Sequence, residues 1–381
     1  MERNHLQSDG PLASRFRKVL RIVGVRDEQR FTTHSIASFL VGVVNFCYLG
    51  YVMVFTECNI TKVAHFMVLQ YFYIGTLWTV VSKSGRVLEI ARDCDRLVGL
   101  DDERIEGIYA FHTEARKDAP QVKGMGTVSV IACIICSYTC VEPFLKAYAG
   151  NKELEFPFTG TTDDTKLFVA VYVLQCLLMF ITACVCVAIF QTQMGTALNL
   201  VVKYKVLNSE LSNLNLRMVD SSDVYASTLY QTVRKCVQTH HHVLSIFEKY
   251  KEVCSYGFQF SYIGLLGATT LSRALLSGDE PDLGTIPHII AELSYIGFFC
   301  YILDELEEEH TKLKDAVYSA EWAHMPKPVV KLLRLIMMRT EKIPHVILYK
   351  GGGYANLDTF YRLLNGTCAY LIFGMVLDQA F

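Results

Sequence analysis

The chain has 381 residues, is 51% apolar and only 19% charged, against about 25% charged for an average soluble domain. Its formal net charge of -2 excludes the overall basic character of a nucleic-acid binder. Positive mean hydropathy points instead to a protein whose solvent is partly lipid.

Residues 1–33 are too polar to contain the apolar core of a cleaved signal, so the first span is expected to act as its own uncleaved start signal. Crossing a bilayer core of roughly 30 Å takes about 20 apolar residues. Runs of that kind predict spans at 35–55, 63–82, 126–148, 167–190, 254–276, 286–302 and 359–377. With the N-terminus inside, the inner segments are 1–34, 83–125, 203–253 and 303–358, and they hold 30 of the 36 Lys and Arg residues. Positive charge is retained on the cytosolic face during insertion, which sets this orientation and leaves the C-terminus outside. The other six, Lys62, Lys146, Lys152, Lys166, Arg273 and Arg362, lie mostly at helix ends where long side chains can snorkel. The expected fold is all-α: a single polytopic seven-helix membrane domain over 1–381. Of the thirteen cysteines only Cys58 would face outside, so a disulfide framework is not expected.

The outer loops are short, and the extra mass lies in the inner segments. In 232–253, Val233, Cys236, Val237, His240, Val243, Leu244 and Phe247 recur at helical spacing and run into the fifth span without a breaker. Val329, Val330, Leu332, Leu333, Leu335 and Ile336 make a second stripe between Pro328 and Pro344. Both predict a cytosolic helical anchor built from 203–253 and 303–358. The turn Lys350-Gly351-Gly352-Gly353 before the last span reads as a tight reversal.

Candidate sites are few. His240, His241 and His242 point about 100° apart on a helix and cannot chelate jointly, and no spaced histidine boxes occur, so no metal, no cofactor and no enzymatic activity are expected. The run Asp304–His310 reads as a solvated helix face, or as a cation-attracting patch near a permeation path. Glu142 and Glu292 are carboxylates within spans, either lining a wet cavity or paired locally. Asn59-Ile60-Thr61 is a glycosylation sequon in the first outer loop. In the outer halves of the spans, Leu69, Phe72 and Tyr73 share one face, as do Ser137, Cys140 and Phe144. With Cys176, Met179, Phe180, Glu292 and Tyr295 these could converge on a cavity for an apolar ligand. Each stripe also reads as ordinary helix packing.

Seven spans suggest a G-protein-coupled receptor, but the charge distribution inverts that topology, Asp95-Arg96-Leu97 follows span two, and span seven has no NPxxY. The chain instead resembles the insect odorant receptors. The resemblance rests on Leu313–Trp322 after span six, similar to the family's Ala-x-Tyr-x-x-x-Trp stretch. It extends to Met338–Pro344, to Asn356-Leu357-Asp358-Thr359-Phe360 opening the last span, and to His240–Phe247 entering span five. Thr367-Cys368-Ala369-Tyr370 departs from a Tyr-Ser pair common in that family's last span. The chain also lacks the long insertion between spans four and five that marks the shared co-receptor.

The resemblance implies an odour-specific subunit in the plasma membrane of sensory neurons, binding a small volatile. It further implies assembly with the co-receptor into a lipid-embedded heterotetramer around a central cation pore. Spans two, three, four and six would form the ligand cavity. Carried over from Tyr370, the pore and gate would involve Phe373, Val376, Leu377, Asp378 and Gln379. A small-solute transporter and a gustatory receptor of the same fold are the alternatives. Against the second, Ala369-Tyr370 is followed by Leu371–Val376, and Gln379 comes late.

Overall fold

The computed structural model describes residues 11–22, 33–55, 60–96, 165–214, 223–276, 286–347 and 353–380, with a few helical positions between 126 and 141. In chain order the helices are α1 (Pro11–Ile22), α2 (Thr33–Phe55), α3 (Ile60–Ser82), α4 (Ser84–Asp95), α5 (Thr165–Ser212), α6 (Asp223–Leu276), α7 (Ile286–Tyr318), α8 (Lys327–Thr340) and α9 (Leu357–Ala380). A 3-10 turn spans Trp322–His324, and one antiparallel bridge joins Ile347 to Tyr354. The apolar runs fall on α2, α3, the first part of α5, the end of α6, the start of α7, and α9. Of 126–148, Gly126, Thr127, 129–131, Ile134, Tyr138 and Val141 are helical and the rest lies outside the described residues. Asn59, Glu142 and the loops at 149–164 and 277–285 also lie outside them.

Helices α5 and α6 have 48 and 54 residues, which at 1.5 Å per residue is about 70 and 80 Å. That is more than twice a hydrocarbon core of roughly 30 Å, so each helix serves two environments. At one end the apolar side chains point outward: Leu40, Val44, Tyr51 and Val54 on α2, and Val169, Val173, Leu174 and Leu177 on α5, are exposed. Water would penalise such a band, whereas lipid is its natural solvent. Among the described residues alone, no helix is long and apolar enough to cross a membrane; the apolar stretches are interrupted by positions whose side chains are outside that set.

At the other end the pattern turns inside in. Phe16 and Leu20 of α1, Leu88 and Ile90 of α4, Leu200 and Tyr204 of α5, Val243 and Phe247 of α6, Leu306 and Leu313 of α7, and Leu333 and Ile336 of α8 form one buried cluster. This is the helical bundle expected from 203–253 and 303–358, joined by α1 and α4. Both apolar stripes pack as their spacing implies, except that Leu335 is 51% exposed.

Polar contacts lock the bundle. The Asp95 carboxylate accepts from the Ala13 amide at 2.8 Å, satisfying a free N–H at the start of α1. Lys249 of α6 bridges Glu89 at 2.6 Å and Asp93 at 2.7 Å on α4. The buried Lys203 ammonium donates to the Arg96 carbonyl at 2.8 Å, where the negative end of the α4 dipole meets it; burial lowers its pKa from the usual lysine value.

The acidic run is largely drawn into contacts, with Glu308 left on a solvated face. Glu305 pairs with Lys205 at 2.8 Å, Glu307 with His345 at 2.7 Å, and Glu308 and Glu309 with Lys312 at 2.8 and 3.0 Å. Glu309 also accepts from Asn208 at 2.9 Å. Glu305 and Glu309 tie α7 to α5, Glu307 ties it to the segment after α8, and the Lys312 contacts stay within α7.

The three consecutive histidines enter three environments, as their angular spacing requires. His240 is buried, His241 is exposed, and His242 lies 3.0 Å from the Asp93 carbonyl. His240 packs beside His310 and Tyr204, with ring centroids 6.2 and 6.4 Å away. His310 Nε2 lies 3.2 Å from the Thr340 carbonyl and Nδ1 lies 3.2 Å from the Tyr204 hydroxyl. A carbonyl can only accept, so Nε2 carries the proton and neutral His310 accepts the phenol proton at Nδ1. Burial pushes the Tyr204 phenol up, keeping it a donor.

Candidate ligand site and last helix

Of the candidate residues, Tyr295 belongs to a node where α5, α6 and α7 meet at the inner ends of the expected spans, about 20 Å along α5 from Phe180. The Tyr295 hydroxyl donates to Gln193 Oε1 at 2.8 Å, and the Tyr250 hydroxyl donates to the Gln193 carbonyl at 3.3 Å. Phe190 covers the node, its ring 5.1 Å from Tyr295 and 6.2 Å from Phe298. Gln193 is buried, so its amide oxygen would be costly to leave without this donor. The result is a packed aromatic node with one buried amide held in place.

Of the eleven candidate ligand residues, three have described side chains. Tyr295 belongs to this node, Cys176 is half-buried on α5, and Phe180 is 64% exposed on the outward face it shares with Val173 and Leu177. Leu69, Phe72 and Tyr73 lie on α3, Met179 on α5 and Glu292 on α7, with side chains outside the described residues. Ser137, Cys140 and Phe144 are outside them altogether. Gln193, Phe190 and Tyr250 were not anticipated. The predicted span stops at 190 and its inner segment opens at 203, so Gln193 falls between the two, although a glutamine in so apolar a stretch is itself a signal.

The last helix is anchored at its start. Asn356 Oδ1 accepts from the Thr359 amide at 3.0 Å, an N-cap, with Asp358 in the first turn. Gly353 is required by space: a Cβ there would lie 2.8 Å from Thr359 Oγ1. Before it, His345 stacks on Tyr354 with centroids 4.1 Å apart, and the Ala355 amide donates to the Val346 carbonyl at 2.8 Å. Burial raises the Glu307 carboxyl above the ordinary glutamate value, and the His345 contact opposes this. At the far end of α7, Trp322 Nε1 donates to the Val317 carbonyl at 2.9 Å, closing one of the free carbonyls that a helix end leaves. Phe373, Val376, Leu377, Asp378 and Gln379 lie on α9 with side chains outside the described residues.

Residues 95–368 match the family described as 7tm odorant receptor. The chain belongs to that family. Its fold is accordingly that of the multi-pass, seven-helix class. Among curated proteins it is similar to odorant receptor Or2 of Anopheles gambiae, 23% identical over 211 residues that span 54% of this chain and 56% of that one. The match thus covers little more than half of that relative. Among solved structures it is similar to the insect olfactory receptor OR5 of Machilis hrabei in complex with eugenol. The TM-score is 0.75 at 13% identity, over 96% of this chain and 97% of that one. A second structure of OR5 from Machilis hrabei gives a TM-score of 0.71 at 13% identity, over 94% of this chain and 96% of that one. At that identity the likeness establishes the fold.

Proposed function

We propose that this receptor is the odour-specific subunit of a ligand-gated, non-selective cation channel assembled as a heterotetramer with the odorant co-receptor. Family membership carries the reading, and a structure of the same fold described as a complex with eugenol supports a small volatile as the ligand. The N-terminus and the bundle lie in the cytosol and the C-terminus outside, supported by the basic residues gathered in the inner segments. The ligand sits between α3, the span expected at 126–148, α5 and α7, against Leu69, Phe72, Tyr73, Ser137, Cys140, Phe144, Cys176, Met179, Phe180, Glu292 and Tyr295. Apolar burial at roughly 25 cal/mol per Å² supplies most of its affinity. Helix α9 lines the pore, and the apolar side chains of Phe373, Val376 and Leu377 close it by dewetting. Asp378 and Gln379 keep its mouth hydrated and attractive to cations. Odorant opens this gate to the extent that it binds the open arrangement more tightly than the closed one.

The test is whole-cell current in cells expressing this chain with and without the co-receptor, under a panel of volatile aromatics, esters and alcohols. Odorant-gated cation current only in the co-expressing cells is expected. Current from this chain alone would overturn the need for the partner, and stoichiometric ligand uptake without current would make it a transporter.

A further inference from the structure

Helix α9 rests on α7 at a notch. A Cβ placed on Gly297 would lie 2.6 Å from Phe360 Cζ and 3.0 Å from both Cε atoms. The Phe360 ring therefore fills the space that any side chain at 297 would need. It is a knob seated in a hole that exists because residue 297 has no side chain, the arrangement that lets two helices approach most closely.

Tyr295 lies two positions earlier on α7, about 200° around the helix from Gly297. The helix is thus held on opposite faces. One face meets α5 through the Tyr295–Gln193 hydrogen bond at 2.8 Å and the Phe190 ring; the other meets α9 through Phe360. Lower on α7, Glu307 holds His345 at 2.7 Å, in the segment that leads into α9. From Gly297 to Glu307 is about 15 Å along the helix axis. The last helix and the segment that precedes it are thus held to α7 at two heights.

We propose that the Phe360 ring in the Gly297 notch is the joint through which α7 sets the position of the last helix. Gly297 and Phe360 are then positioning residues for opening, and neither contacts the odorant. A ligand that displaces the Tyr295 face of α7 moves Phe360 with it, because a ring already at van der Waals contact transmits a shift instead of absorbing it. This rests on the reading of α9 as the pore helix.

The test is Gly297→Ala, alone and combined with Phe360→Leu, in cells co-expressing the co-receptor, with surface expression measured alongside. The readout is the maximal current of a partial agonist relative to that of a full agonist, which reports the opening equilibrium separately from affinity. G297A pushes the ring out of its seat and is expected to change that ratio at least about threefold. The smaller, more flexible leucine of F360L makes room for the methyl group, so the double variant is expected to return toward the unsubstituted ratio. An unchanged ratio in G297A at normal surface expression overturns the joint, and so does a change that F360L leaves uncorrected.

Amide hydrogen exchange over 357–366 in the purified receptor reads the same contact without current, and G297A is expected to accelerate it about tenfold. Absence of odorant-gated current in the unsubstituted complex would remove the pore reading of α9, whereas unchanged exchange in G297A would overturn the joint itself.

Discussion

Replacing the two buried histidines of the bundle, His240→Gln and His310→Gln, should flatten the dependence of its stability on pH. Burial pushes both imidazoles down to about 4, against about 6.5 in an unfolded chain. The folded state therefore binds fewer protons than the unfolded state below that value. The stabilisation is present above about pH 6.5 and is lost as pH falls toward 4. The groups facing the pair supply no compensating anion: they are the Tyr204 phenol and Thr340 carbonyl on His310, and Arg339, His241 and His345 by charge. Linkage between pH 7 and pH 5.5 then gives a loss of about 1 kcal/mol per histidine, or about 2 kcal/mol for the pair. At roughly 2–4 °C per kcal/mol, Tm should fall by about 4–8 °C over that interval. The assay is thermal unfolding of the purified receptor in detergent at the two pH values. The reasoning fails if the double glutamine variant keeps the full pH slope of the unsubstituted protein.

Three further outcomes are expected. Asn356→Ala removes the cap of the last helix and should cost about 1 kcal/mol, read as faster amide exchange in its first turn with the α8 amides unchanged. Trp322→Phe keeps the packing of the indole but deletes its bond to the Val317 carbonyl; a loss of about 1 kcal/mol in denaturant unfolding is expected, and Trp322→Ala should cost more. Tyr295→Phe leaves Gln193 Oε1 without its 2.8 Å donor and should shift odorant dose-response curves while surface expression holds. Identical curves would remove Tyr295 from the ligand site.

The long helices and the bundle were legible because their signals are periodic. Val233, Cys236, His240, Val243 and Phe247 recur at helical spacing, and each is buried. The Asn356–Phe360 stretch was recognisable as a motif, and its reason became visible as a helix cap. What could not be read were contacts between residues far apart in the chain. Glu305, Glu307 and Glu309 look solvated until Lys205, His345 and Asn208 arrive from other elements. Gly353 reads as a turn residue needing left-handed backbone, yet what demands it is the side chain of Thr359. Gln193 fell outside every predicted element because the hydropathy run ended before the helix did. Hydropathy marks where lipid stops, and α5 continues to Ser212.

The uneven placement of the core bears on how such a receptor can diversify. Most of the described buried apolar side chains belong to the bundle end, where α4, α5, α6, α7 and α8 interlock. Among the described residues, few buried apolar side chains lie at the far end of α5. With the ligand where it is proposed, substitutions there can retune odour preference while the bundle end stays under strict steric control. Tolerance of change and precision of packing are then separated along the length of one helix, α5.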